Sequence, residues 1–352
     1  MLVAGCLAVS ASTMTGASND IFRQTNLAAD VGAIAPYTDP NLLNPWGVVV
    51  DPGGHVVVVD NHAGVATSYN RKGKLLSQVI SIPAPDGSAG APTDLAVVTP
   101  PGSFGANKNT SRGTMLLFST EDGTIAAWNP RVNRSAASIV IDNSGAGANY
   151  KSLAISRNGH DVSLFVANFG QGQVEMYDST YTLEKSFTDT DLKAAGYVPF
   201  GVRVIDGSLF VSYAFKTNPT DDDETTGPGL GYVVMFDRDG NLLKRFASQG
   251  TLNAPWGLAK APGSLGKFSR SLLVGNFGDG TINGFNLQTG AFLGQLSDTN
   301  GAAFHIEGLW GLAFNHGASP LFFTAGPDDE NHGVLGVLSV KKPTSGMGGG
   351  GY

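Results

Sequence analysis

Cysteine is nearly absent from the 352 residues. Cys6 stands alone, which excludes an intrachain disulfide framework and a cysteine-rich zinc site. Charge is sparse too: Asp, Glu, Lys and Arg make up 14% of the chain, and the formal net charge is −7. Phosphate backbones are held by clustered Lys and Arg, so nucleic acid is excluded as a partner. No apolar run approaches the roughly 18 to 20 residues that a membrane-spanning helix needs. Helical periodicity is missing throughout, apart from a short turn at 190–195. Signatures of common catalysts are missing as well. There is no Gly-x-Ser-x-Gly elbow, no Gly-x-x-x-x-Gly-Lys phosphate loop and no cysteine nucleophile beyond residue 6.

What the chain does have is glycine, 48 residues of it, and many short Val, Leu and Phe runs within a hydrophobic content of 41%. Such runs bounded by Gly, Asn and Asp describe strands joined by tight turns. They are also periodic. The phrases Pro45-Trp46-Gly47-Val48, Pro92-Thr93-Asp94-Leu95, Tyr150-Lys151-Ser152-Leu153, Pro199-Phe200-Gly201-Val202, Pro255-Trp256-Gly257-Leu258 and Leu309-Trp310-Gly311-Leu312 recur at intervals of 47, 58, 49, 56 and 54 residues. That spacing, with four strand-length runs per interval, predicts an all-β, six-bladed β-propeller of four-stranded blades. The sixth unit is one strand short, and 22–28 is expected to supply its outer strand and close the ring.

These spacings divide the chain into an export segment at 1–18, a propeller at 19–341 and a Gly-rich tail at 342–352 that is expected to be disordered. Val3-Ala4-Gly5-Cys6 resembles the lipobox of a bacterial lipoprotein, and the small apolar residues up to Ser18 equally suit a Sec signal peptide. No basic residue precedes the apolar stretch, as would follow if translation starts further upstream. Export is therefore expected to the periplasm, the cell surface or the medium, with Cys6 as a candidate lipid anchor.

Several longer motifs carry a family resemblance. Asn44-Pro45-Trp46-Gly47, Thr120-Glu121-Asp122-Gly123-Thr124-Ile125, Trp128-Asn129-Pro130, Tyr150-Lys151, Leu252-Asn253-Ala254-Pro255-Trp256-Gly257-Leu258, Val274-Gly275-Asn276-Phe277-Gly278-Asp279-Gly280, Gly308-Leu309-Trp310-Gly311-Leu312 and Phe323-Thr324-Ala325-Gly326 resemble an uncharacterised family of exported bacterial six-bladed propellers with NHL-like repeats. The resemblance spans about 22–340 and implies the fold and an exported location, with no settled activity. Ser152 departs from it, since a Gly commonly follows the Lys.

In a propeller, the loops entering the inner strands and those joining second to third strands share one face, over the mouth of the central channel. Asp60, Glu121, Asp122, 221–224, Asp279, Asp328, Asp329 and Glu330 map there against Lys216 alone. Arg71, Lys72, Lys74, Lys108, Arg112, Arg131, Arg134, Arg157, Arg238, Lys260, Lys267 and Arg270 map to the opposite face. An acidic mouth concentrates cations, though turns are polar for solubility alone.

Two metal readings follow. Asn61, Asn168 and Asn276, taken as matching turn positions, together with Glu307, offer oxygen ligands suited to calcium. Lactonase-like propellers hold a similar set, an analogy of fold only. Turn asparagines also have a purely local explanation in αL backbone. His62, His305 and His332 map to the same face in blades one and six, a candidate zinc or copper set resembling that of an NHL-like amidating lyase.

The inner ring supplies Trp46, Trp256 and Trp310, expected to pack between blades or to present a glycan platform. Asp94 and Lys151 are expected to form a buried ion pair or to serve as polar ligand anchors. The insertion 217–231 is either a lid or a solvated loop. The reading that follows is a monomeric binding or scaffold module that takes a small molecule or protein at its mouth through Trp46, Asp94, Glu121, Asp122, Lys151, Trp256 and Trp310. The alternative is a metal-dependent hydrolase or lyase acting there.

Overall fold

Each of the six phrases opens an inner strand, and each inner strand begins a blade of four antiparallel strands, to which blade six adds a short parallel edge strand. The computed structural model describes residues 21–100, 102–105, 113–159, 161–315 and 318–340. The expected export segment with Cys6, the Gly-rich tail, and Lys108, Arg112, His160 and His316 lie outside the described residues. In blade one the strands are Pro45–Val50, Val56–Asp60, Val65–Tyr69 and Leu75–Ser81, ordered from axis to rim. The inner strands of the other blades are Pro92–Val97, Tyr150–Asn158, Tyr197–Ile205, Pro255–Lys260 and Leu309–Asn315. Second strands such as Val56–Asp60 and Leu272–Asn276 are apolar on both faces because neighbouring blades cover both. Among the described residues, helix is confined to the five residues Thr190–Ala194 and three 3-10 turns. The carboxylate of Asp189 caps that helix by accepting from the backbone N–H groups of Asp191 and Leu192.

The protein is thus an all-β six-bladed propeller, closed as expected by its N-terminal strand. Phe22–Ala29, one residue longer than the sequence reading has it, pairs antiparallel with Val334–Val340 as the fourth strand of blade six. The short strand Tyr37–Thr38 then covers its outer edge. Asp30, the next residue, fastens the seam. It accepts from the backbone N–H of Gly333 at 2.9 Å and pairs with His332 Nδ1 at 2.7 Å.

One irregularity repeats in every blade. The pairing of first and second strands shifts register just after the first residue of the phrase, between Pro45/Val48, Pro92/Asp94, Tyr150/Ser152, Pro199/Val202, Pro255/Gly257 and Leu309/Leu312. A bulge re-aims the side chains beside it. Here it turns the second phrase residue toward the axis, and the aromatics expected to pack between blades meet one another there instead. Trp46 stacks on Trp310 with centroids 3.6 Å apart, Phe277 stacks on Trp310 at 4.1 Å, and Trp256 meets Trp310 edge-on at 5.6 Å. They form an aromatic plug across the channel. The third phrase residue is Gly where backbones crowd: a Cβ on Gly257 would lie 2.5 Å from the Trp310 carbonyl oxygen, and one on Gly311 would lie 2.5 Å from that of Trp46.

Candidate functional site

Lys151 takes the plug position in blade three, where three other blades carry Trp. It is fully buried, and its Nζ rises to Glu121 Oε1 at 2.5 Å and Asp223 Oδ1 at 3.2 Å. The same ammonium lies 5.1 Å from the Trp46 ring centre and 5.4 Å from that of Phe169. Burial alone would push the ammonium down. The carboxylates of Glu121, Glu224 and Asp223 reverse that and hold its pKa up at about 12. A group held charged in this way is an electrostatic fixture rather than a neutral-pH base.

The expected Asp94–Lys151 pair does not form. Asp94 is the third residue of its phrase and Lys151 the second, so they belong to different rings and aim along different directions. Asp94 sits below the plug, fully buried. It accepts from Arg203 Nη1 at 2.6 Å and Nη2 at 3.2 Å, from Ser152 Oγ at 2.6 Å and from the backbone N–H of Leu95 at 2.8 Å. Ser152 thus orients the carboxylate that Lys151 was expected to meet.

Above the plug lies a polar cavity of about 460 Å³. Its walls are Asn44, Asn61, His62, Glu121, Asp122, Asn149, Asp222, Asp223 and Glu330, with Trp46 at its floor. Glu121 accepts from Asn61 Nδ2 at 2.9 Å, and Asn44 Nδ2 lies 3.3 Å from His62 Nε2. Glu330 accepts from Trp310 Nε1 at 3.1 Å, tying the rim to the plug, and burial pushes its carboxyl up. Asp122 accepts from the backbone N–H of Ala91 at 2.8 Å and so holds blade two to its own entry loop. The insertion reaches across the mouth, as a lid would. Asp223 meets Lys151, the Asp222 carbonyl accepts from Asn149 Nδ2 at 3.3 Å, and half-buried Glu224 is pushed by burial to about 7 against the pull of Lys151. Lys216 is buried beside it, its ammonium 4.8 Å from the Phe169 ring and pushed down by burial.

Neither metal set converges. Strand register aligns Asp60, not Asn61, with Asn168 and Asn276, because each of these faces the first phrase residue of its blade: Pro45↔Asp60, Tyr150↔Asn168, Pro255↔Asn276. The turn in blade one is displaced by one residue from the sequence match. Asn168 and Asn276 are turned into their blades. Asn168 donates to Glu175 Oε1 at 2.7 Å, within a buried network with Tyr150 and Tyr177, and Asn276 donates to the Thr251 carbonyl at 2.7 Å. Glu307 is exposed and accepts from the backbone N–H of Asp328 at 3.1 Å. The histidines part company as well: His62 faces Asn44, His332 faces Asp30, and exposed His305 Nδ1 lies 3.1 Å from the Asp279 carbonyl. Among the described residues, no three His, Cys, Asp or Glu are grouped as a metal ion requires. The glycan platform fails for a different reason, since Trp46, Trp256 and Trp310 are 3%, 2% and 1% exposed.

The acidic mouth is present, but the opposite face is mixed rather than basic. Asp51, Asp161, Asp178, Asp206, Asp237 and Asp239 interleave there, and Lys260 is paired with Asp206 at 2.6 Å. Sequence reasoning missed Asn44, Asn149 and Arg203. The first two were within reach, because both stand one residue before the phrase in their blades.

Comparison with known proteins bears on this site only through the fold and the family. Residues 42–64, the inner and second strands of blade one, match the NHL repeat. "Uncharacterized protein L690" of Acanthamoeba polyphaga mimivirus is 32% identical over 320 residues, 89% of this chain and 84% of the viral protein. "Uncharacterized protein R648" of the same virus is 32% identical over 313 residues, 86% of this chain and 76% of its own. The chain belongs to their family. These relatives of the NHL-type propeller are viral, where the sequence reading looked to bacteria. Among solved structures, virginiamycin B lyase from Staphylococcus aureus with quinupristin superposes with a TM-score of 0.57 at 12% identity, over 91% of this chain and 99% of that one. A glucose dehydrogenase gives 0.54 at 10%, over 91% and 100%. At such identities the likeness is one of fold, and the family shares that architecture with proteins of different chemistry.

Proposed function

We propose that this member of the family is a binding module whose mouth takes a small, cationic, hydrogen-bonding molecule. The observation that carries this is the cavity wall: Glu121, Asp122, Asp222, Asp223 and Glu330 line one cavity above the plug, and the ammonium that meets them from below, that of Lys151, is already committed to Glu121 and Asp223. Convergent carboxylates recognise an ammonium or guanidinium group, and the acidic rim draws such a ligand in. Isothermal titration with agmatine, spermidine and choline, against neutral isosteres, tests it. The cations are expected to bind, more weakly at high salt, and Glu330→Gln to weaken them tenfold or more. Binding of the neutral isosteres with equal affinity, or no binding by any cation, overturns the reading. Metal content after dialysis separates it from the metal-dependent hydrolase or lyase, since a stoichiometric calcium, zinc or copper would favour the enzyme.

Export is proposed on the apolar segment before residue 19 and the Val3-Ala4-Gly5-Cys6 sequence. Labelled palmitate incorporated into the full chain and lost in Cys6→Ser supports the lipid anchor. Retention of the uncut chain in the cytoplasm overturns both export and anchor.

A further inference from the structure

The channel has a second opening, and its chemistry differs from that of the mouth. Three residues beyond the plug position, and one beyond the buried leucine or valine that ends each phrase, the inner strands carry Val49, Ala96, Ala154, Arg203, Ala259 and Ala313. Five small apolar residues leave room at the axis, and one arginine partly fills it. Below that ring lies a cavity of about 330 Å³ whose walls include Val49, Val50, Ala259, Ala313 and Phe314, with Arg203 at its inner end. Its size and mostly apolar walls, with Arg203 inside and Lys260 at the rim, are those of a small-molecule site. It lies against the aromatic plug, with Arg203 Cζ 6.0 Å from the centre of the Trp256 ring, and shares no wall residue with the cavity at the mouth.

The guanidinium is held but not exhausted. Nη1 donates to Asp94 Oδ2 and to the carbonyls of Leu153 and Val202, and Nη2 donates to Asp94 Oδ1. That leaves the Nε–H and one Nη2 hydrogen without an acceptor among the described residues, on a side chain 21% exposed. Asp94 neutralises the charge, and Lys260 at the rim is neutralised by Asp206. A free cation would be repelled by neither and attracted by nothing here. What the cavity matches is an apolar body with one oxygen acceptor that lies in the plane of the guanidinium fork.

We infer that the opening opposite the mouth is a second, independent ligand site, which takes a small apolar molecule bearing one carbonyl or carboxylate oxygen directed at Arg203. The apolar walls supply the binding free energy and Arg203 fixes the orientation. This site stands whether or not the mouth binds cations.

The test is a matched series on the full chain: 2-naphthoate, methyl 2-naphthoate and naphthalene, followed by quenching of tryptophan fluorescence and by isothermal titration. The two oxygen-bearing compounds are expected to bind at one site per chain, at least tenfold more tightly than naphthalene. Ala259→Leu and Ala313→Leu, which fill the cavity without touching Asp94 or Arg203, are expected to lower that binding tenfold or more. Glu330→Gln at the mouth is expected to leave it unchanged. Circular dichroism and thermal melts establish which filled variant is folded, and either one suffices. Equal affinity for naphthalene, binding that survives in a folded filled variant, or loss of binding in Glu330→Gln overturns the inference.

Discussion

Lys151 and Asp94 show how much one position along a strand decides. Both are fully buried charges, and each has found a partner that the other was expected to be. Breaking a buried pair from one side strands the remaining charge, which costs about 3–5 kcal/mol. Glu121→Gln is therefore expected to lower unfolding free energy by an amount of that order, partly relieved by Asp223. The double variant Glu121→Gln with Lys151→Met should recover most of the loss. Urea unfolding of the two singles and the double gives the coupling, and strict additivity would mean that the pair does not interact. Glu224 offers a test of a different kind. Its folded carboxyl, raised by burial to about 7 from an ordinary 4.5, holds a proton that the unfolded chain releases earlier. Between these values the folded state binds more protons, so this group's contribution to stability declines as pH rises from about 4.5 to about 7. Glu224→Gln is expected to remove that decline, so its urea midpoint gains on the parent at pH 7.5 relative to pH 5.

At the scale of elements, the repeated bulge matters more than any single residue. It is what turns the tryptophans onto the axis and lifts Lys151 toward the rim, and it separates the second and third phrase residues into distinct rings. The insertion 217–231 is the other element with consequences, because its Asp222 and Asp223 form part of the cavity wall. Asp223 is largely exposed on its outer side. The Lys151 contact and the Asn149 hydrogen bond hold the acidic stretch of this loop over the mouth, while Gly227 N–H to Asn253 Oδ1 at 2.7 Å and Ala254 N–H to the Leu230 carbonyl at 2.9 Å fix its far end. Asp223→Asn with Asn149→Ala should free the acidic stretch. The expected outcome is faster amide exchange across 221–224 than across 225–231, with little change in global stability, read by hydrogen–deuterium exchange. Unchanged protection there would show that other contacts hold the loop.

For the whole molecule, the seam of blade six decides whether the ring holds. Removing Phe22–Ala29 would bare the edge of Val334–Val340, a long apolar strand with unpaired N–H and C=O groups. Aggregation on size-exclusion chromatography is expected for such a truncation, along with a lower melting temperature. The seam is also pH-sensitive. Asp30 raises the pKa of His332 above its ordinary 6.5, so the pairing contributes fully below that value and fades as pH rises through the raised one. His332→Gln should accordingly lose more stability, relative to the parent, at pH 5.5 than at pH 8.5. An equal loss at both would assign the contact to neutral hydrogen bonding.

Repeats are local in sequence, and so the propeller, its six blades, the missing outer strand and even the short helix at Thr190–Ala194 were legible before any coordinates. Each depends on periodicity, turn residues and the count of apolar runs, which the chain states directly. The acidic mouth was legible for the same reason, because loop membership follows from strand order. What only the tertiary structure decided is who meets whom. The bulges displaced side-chain directions by a step that no alternation pattern reveals, the turn of blade one shifted Asn61 off the register of Asn168 and Asn276, and Asp94 found Arg203 across 109 residues. Contacts of that kind depend on six strands converging on one axis, where a residue's partners come from other blades as well as its own.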